Sequence, residues 1–372
     1  MQRIVSQFVG GHKNLAVSMY NLQEKIFELL AGVANASDRA EKIDVLKCRC
    51  SFTDDERKRC NSYNNISSLT TLPNEFAIIF FNRKKEKFLL VSSGINCNMQ
   101  NDDFEIQEPS FSELAVVNKA KKLSLVKDVE ATEILDTVLL YDDPKYDGNS
   151  FDDIKKFFRP FSLFKVNNTA IKEKDDYCVY AYFLLNCIDR EEGKFETETI
   201  MAIEDLLFSG IKVPYYNVVM ALNSQQWVHV FLETYRMIEH VFPAVYLKKL
   251  TSINSKVTAY EMAVILEEVV DWRPPEDKAI EEIFKELEAI PSFATLFAKL
   301  RGLMRDPNEK IFKWYYKQVR NQVVHFRSVH KNVEFSDVEW NILVRFNFAA
   351  IKHLYDAYKE QINISESVFP EK

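Results

Sequence analysis

From about residue 224 onward the chain is patterned in the 3.6-residue period of amphipathic helices, and this limits its fold more than any other feature. Trp227, Val230, Phe231, Ile238, Val241 and Phe242 mark one face of a long helix from Ser224 to about Tyr246, bent at Pro243. Thr258-Ala259-Tyr260-Glu261 and Ser336-Asp337-Val338-Glu339 are capping boxes, in which a hydroxyl and a glutamate three residues apart satisfy backbone N–H groups at a helix start. They predict helices running to about Val270 and about Gln361. Between them, Pro274-Pro275 precedes a helix through Ile280 and Leu287, and shorter helical material spans Phe293 to Leu300. Asp306-Pro307-Asn308-Glu309 reads as a third start, with aspartate as cap, proline at the first helical position and glutamate completing the box. Its helix is expected to reach about Arg327. Apolar faces of this kind must be buried against one another, which predicts an all-α helical bundle.

Before residue 210 the pattern is mixed. Phe76 to Phe81 and Phe88 to Val91 are apolar runs flanking the charged turn Arg83-Lys84-Lys85-Glu86, the signature of a hairpin. Tyr177 to Ile188 is a long aromatic and β-branched run that reads as extended, ending at the turn Asp189-Arg190-Glu191-Glu192-Gly193. Leu15 to Val33, Ser112 to Lys121, Val129 to Leu140 and Ile154 to Phe164 have helical periodicity. The expected fold class is therefore an α+β N-terminal region, residues 1–215, followed by a helical-bundle domain, residues 216–372.

A chain of 372 residues that is 47% hydrophobic and 13% aromatic can bury substantial cores. Its net charge of −7 argues against indiscriminate coating of nucleic acid, so any RNA contact should be local. No uncharged apolar run is long enough to span a bilayer, and no secretory leader pattern opens the sequence. A cytoplasmic protein without membrane contact is expected. The six cysteines are too sparse for a disulfide scaffold and read as reduced thiols. Cys48-Arg49-Cys50 with Cys60 lacks the paired spacing of structural zinc sites, so no metal is expected. The chain carries no Walker A sequence, G-x-G-x-x-G, G-x-S-x-G or H-E-x-x-H.

The helix opened at Asp306 has three distinct sides on an ideal wheel. Phe312, Tyr315, Tyr316, Val319, Val323 and Phe326 form the core stripe, while Lys310, Lys313, Lys317, Arg320 and Arg327 form a basic rail that Lys331 continues. The third side holds Trp314, Gln318, Asn321 and His325. Arginine can hold a phosphate as charge builds on it, and histidine titrates nearest neutrality, so it can move a ribose proton. Trp314 beside the rail suits either base stacking or a dimer contact. Arg320 and His325 lie roughly 140° apart on a regular helix. Either the helix is distorted there or two copies complete one site. The early helix adds Glu233, Arg236, Glu239 and His240, in which Arg236 and His240 are neighbours in an ion-pair cluster and Glu233 or Glu239 is a candidate to orient the motif residues.

Arg320-Asn321-Gln322-Val323-Val324-His325 resembles the Arg-x4-6-His motif of the HEPN superfamily, all-helical domains found as ribonucleases in bacterial defence, toxin and CRISPR-linked systems. The resemblance spans about residues 220 to 362, and the six-residue motif is its diagnostic part. It implies a metal-independent endoribonuclease without cofactor, acting in phage defence or growth arrest. Arg320 would hold the scissile phosphate, His325 would act as general base or acid, and Asn321 would orient one of them. Lys310, Lys313, Lys317, Arg327, Lys331 and Trp314 would contact RNA, whether tRNA or other single-stranded regions. In the family two motifs usually meet across a dimer interface, which implies a homodimer, and a partner protein from a defence or toxin–antitoxin operon is also expected. One toxin branch has tyrosine two residues after the histidine, where this chain has Arg327. That departure favours a defence effector restrained by a fused sensor, for which the N-terminal region is the candidate. The alternatives are a module that grips RNA or a nucleotide without cutting it and a regulatory subunit of a multi-protein defence complex.

Overall fold

The computed structural model describes residues 17–39, 41–69, 75–92, 102–139, 145–188, 193–251, 258–270, 275–324 and 334–362. The chain divides into two compact units after Asp176.

The first unit runs α1 (Met19–Ala34), α2 (Asp54–Cys60), β1 (Asn64–Leu69), β2 (Ala77–Phe81), β3 (Lys87–Ser92), β4 (Phe104–Gln107), α3 (Phe111–Lys119), α4 (Ala131–Val138), α5 (Phe151–Lys155), β5 (Phe161–Val166) and α6 (Thr169–Lys172). The strands form one antiparallel sheet in the order β1-β2-β3-β5-β4. The expected hairpin is present, with Phe80 opposite Phe88 and Phe81 opposite Lys87. Its turn is held by Asn82, whose Oδ1 accepts the N–H groups of Lys84 and Glu86. Lys85 takes the left-handed conformation there, with φ 59°. Because side chains alternate along a strand, Ile78 and Phe80 point to the same face, where they share a core with Leu22, Ile26 and Phe27 of α1 and Leu114 of α3.

Three expectations need correction here. The span from Ile154 to Phe164 is not one helix: α5 stops at Lys155 and β5 starts at Phe161. Pro160 has no N–H to donate and disfavours helical geometry at Arg159, so the helical period cannot continue through it. Tyr177 to Ile188 is not extended but largely helical, as α7 (Asp176–Cys187), with every residue from Cys178 to Leu185 buried. A helix buried on all sides shows no amphipathic period, so its sequence resembles that of a core strand. The thiols at Cys48, Cys50, Cys60 and Cys178 are free and buried, but Cys187 is disulfide-bonded, against the expectation of reduced thiols. Burial lifts the Cys48 and Cys60 thiols to about 12 and about 11, which leaves them protonated and poor metal ligands near neutrality. Among the described residues no group of potential ligands is arranged to hold a metal ion.

The second unit begins ahead of the expected boundary at residue 215, because α7, α8 (Thr197–Phe208) and α9 (Tyr215–Asn223) belong to it. It continues with α10 (Trp227–Glu239), α11 (Phe242–Thr251), α12 (Ala259–Val270), α13 (Glu276–Glu288), the short turn Pro291–Phe293 and α14 (Ala294–Leu303). Then come α15 (Ile311–Trp314), a π-helical turn over Tyr315–Arg320, α16 (Asn321–Val324) and α17 (Asp337–Ala357). Its described residues contain no strand. The long helix expected from Ser224 is two helices, with His240 closing α10. Pro243 is the second residue of α11, where a missing N–H costs little. The boxes at Thr258 and Ser336 form as expected. The one at Asp306 does not: its carboxylate accepts the N–H of Asn308 in a turn, and α15 starts only after Lys310.

At the centre of this bundle α10 packs on α17, and α13 packs on α15. Phe231, Tyr235, Phe284, Tyr315 and Phe346 meet there with ring centres 5.2 to 6.3 Å apart. A buried polar chain crosses the same core: the Tyr315 hydroxyl donates to Asn347 Oδ1 at 2.7 Å, and Asn347 Nδ2 donates to Thr234 Oγ1 at 2.9 Å. These bonds pin the motif helix, α17 and α10 to one another. Among the described residues no helix is long and apolar enough to cross a membrane.

Candidate functional site

The helix that carries Arg320 changes hydrogen-bond pattern twice within a few turns. From residue 314 to residue 320 the buried positions are Trp314, Tyr315, Val319 and Arg320. Trp314 and Val319 are five apart, as are Tyr315 and Arg320, which is the spacing of a π turn rather than of an α-helix. On a regular helix Arg320 continues the exposed line of Lys313 and Lys317. The π turn takes up one extra residue and so rotates the chain beyond it by about 100°. Arg320 is thereby carried off the rail and into the bundle, where it is 7% exposed, while Lys310, Lys313 and Lys317 remain at the surface. This distortion ends at Arg320, so it lies before the motif, and the angle between Arg320 and His325 falls outside the described residues.

The buried guanidinium is enclosed by charge and rings. Arg320 Nη2 is 2.8 Å from Glu276 Oε2 and 3.7 Å from Glu239 Oε1. Nη1 donates to Asn321 Oδ1 at 3.0 Å. The rings of Tyr235 and Tyr316 lie 5.4 and 5.5 Å from the guanidinium carbon. Nε has no hydrogen-bond partner among the described residues. Glu276 also accepts the Tyr316 hydroxyl at 3.1 Å, and it sits at the first position of α13, where the helix dipole favours a negative charge. Glu239 has the opposite setting. It ends α10, where the dipole disfavours a carboxylate, and its pKa is pushed up first by burial and then by Glu276, against the pull of Arg320 and Arg236. Burial, with a second acid beside it, therefore leaves a carboxylate near Arg320 that holds a proton more readily than usual.

The other nominated residues separate. Glu233 pairs with exposed Arg236 and accepts Asn217 Nδ2 at 2.7 Å, so in this structure it does not reach Arg320. His240 is withdrawn from Arg236: its Nδ1 lies 3.0 Å from the Tyr355 hydroxyl, and burial lowers its pKa. Trp314 corrects the expectation of a stacking platform. It is only 5% exposed and packs edge-on to Phe335, because it shares the buried side of α15 with Ile311 one turn earlier. His325, Arg327 and Lys331 lie outside the described residues. The sequence reading missed Glu276, Tyr235 and Tyr316. Of these only Glu276 had a local signal, as an acid in the first turn of a helix behind Pro275. Comparison with known proteins finds no matching family model, curated protein or solved structure.

Proposed function

We propose that the helical unit is a HEPN-like, metal-independent endoribonuclease domain, active as a homodimer, in a cytoplasmic phage-defence or growth-arrest protein. The observation that carries this reading is the π turn that ends on the motif arginine, since π turns inside α-helices are frequent at functional sites. It joins Arg320 to Asn321 and Glu239, all three nominated for the site from the sequence. The arginine so held is a resting group. An RNA phosphate takes over the guanidinium by displacing the more distant carboxylate of Glu239, and Glu276 keeps the guanidinium oriented. His325 removes the 2′-OH proton as that oxygen attacks phosphorus, or protonates the departing 5′ oxygen. Arg320 neutralises the charge that builds on the phosphorane. The products are a 2′,3′-cyclic phosphate and a free 5′-hydroxyl, and DNA is spared because it has no 2′-OH.

A second reading is favoured by the depth of Arg320 and its two carboxylates: a bundle that binds RNA or a partner subunit without cutting, in which Arg320 is a structural cation. Cleavage of single-stranded RNA and total tRNA in EDTA separates the two. Cyclic-phosphate ends made by wild type and lost in His325→Ala, at unchanged thermal stability, support the nuclease. Cleavage retained by His325→Ala sinks it, and RNA binding without product from either protein favours the second reading.

A further inference from the structure

The first unit contains a half-open cavity of about 440 Å³ between α5, the start of β5 and the N-terminal end of α3. That is within the range of sites for small organic ligands, roughly 300–1,000 Å³. Its walls are apolar, with Leu114 and the rings of Phe151, Phe158 and Phe161. Its polar lining is of one kind, the cations Lys155, Lys156 and Arg159. Among the described residues that line it there is no acid, no hydroxyl and no amide side chain. Leu125 forms an antiparallel bridge with Phe158, and the N–H of Val126 donates to the Phe157 carbonyl at 3.0 Å, so the Val126 and Phe158 walls rest on paired backbone.

Lys155 and Lys156 are held beside the cavity in exposed ion pairs. Lys155 pairs with Asp152, and Lys156 lies 3.4 Å from Glu133. All four of these side chains are well exposed, and exposed pairs of this type hold their charges loosely. Lys155 Nζ is 5.8 Å from the centre of the Phe151 ring, which keeps that ammonium group against the aromatic wall, and Lys156 Nζ is 5.0 Å from the ring centre of Phe157, outside the lining.

We propose that this cavity binds a small ligand with an apolar body and an anionic head, a carboxylate, sulfonate or phosphate. The body lies against Phe158 and Phe161, and the head meets Lys155, Lys156 and Arg159. A neutral apolar ligand would strip water from three cations and return nothing. A nucleotide would bury base N–H donors for which the lining side chains offer no acceptor. The inference is independent of the ribonuclease reading and gives the N-terminal unit a ligand of its own.

The test is fluorescence titration of the full-length protein with the anionic probe 1-anilinonaphthalene-8-sulfonate and its uncharged analogue N-phenyl-1-naphthylamine, in wild type and in Lys155→Gln/Lys156→Gln. Both lysines are exposed, so the variant folds, and an unchanged melting temperature verifies it. We expect saturable one-site binding of the anionic probe, weakened about tenfold in the variant, a difference of about 1.4 kcal/mol. The uncharged probe should bind both proteins alike. Octanoate should displace the anionic probe, and ATP should not. Equal affinity of the anionic probe for the two proteins overturns the proposal, as does displacement by ATP but not by octanoate.

Discussion

The last helix and the motif helix each bury an arginine to the same 7% exposure, yet they surround it differently. Arg345 sits in α17, a regular helix of 21 residues opened by the Ser336 box, and its ion pair is with exposed Glu198 at 3.6 Å. Arg320 ends a π turn in a helix whose first turn has no side-chain cap, and it is held by two carboxylates, an amide and two rings. Equal burial therefore does not mean equal constraint. In α17 the backbone is at rest and the cation is lightly held. In the motif helix the backbone departs from its preferred ladder and tertiary contacts keep it there, the combination associated with sites rather than scaffolds.

The sharpest test of that contrast is to remove each cation. Arg320→Met should destabilise the protein by about 2–3 kcal/mol, because it leaves Glu239 and Glu276 facing each other, with the figure discounted for their partial exposure. Arg345→Met should cost about 1 kcal/mol or less in the same urea titration. Equal losses would erase the distinction. Asn347→Leu comes next, at about 2 kcal/mol, since it strands the buried Tyr315 hydroxyl that anchors the π turn to α17. A thermal shift under a degree would mean that the polar chain does not hold the turn.

Capping gives a smaller paired effect. Ser336→Ala should cost about 1 kcal/mol, and Asp306→Ala only a few tenths, because Asp306 stabilises a turn and caps no helix. Similar costs would show that the motif helix does start at Asp306 in solution. Smallest is a pH effect. Glu239 has a raised pKa in the fold, so the folded state binds its proton more tightly than the unfolded chain does. Its contribution is thus most favourable below the unfolded carboxylate range and is lost as pH rises through the raised value. His240 acts in the same window with the opposite sign: its lowered pKa makes the fold lose stability as pH falls through the ordinary histidine range. Melting temperature from pH 4 to 7 should decline less steeply, or climb more, in Glu239→Gln than in wild type. Parallel curves would mean that Glu239 titrates normally.

Where the sequence was legible, local chemistry and tertiary packing agree. The hairpin at Arg83 is specified by its flanking apolar runs and by Asn82, and the starts at Thr258 and Ser336 are specified by side chains bonding their own backbone. Reading failed where one level overrode another. Pro160 cut a helical period that looked continuous, total burial hid the helix of Tyr177, and the Asp306 box met every local rule yet yielded a turn. Of the site, Arg320, Asn321 and Glu239 were nominated and are in contact, whereas Glu233 and Trp314 were nominated and are engaged elsewhere.

The sequence by itself determined what acts over a few residues: a helical C-terminal half, two of its helix starts, a β-hairpin, and an arginine five residues before a histidine. The tertiary structure decided which way that arginine faces. A helical wheel assumes one hydrogen-bond ladder throughout, and a single π turn, held by Tyr315 bonding a residue on α17, breaks that assumption and rotates Arg320 from the basic surface into a pocket of acids and rings. The partners that keep it there, Glu276 and Tyr235, come from other helices. No local pattern encodes their approach, because it depends on how the helices pack.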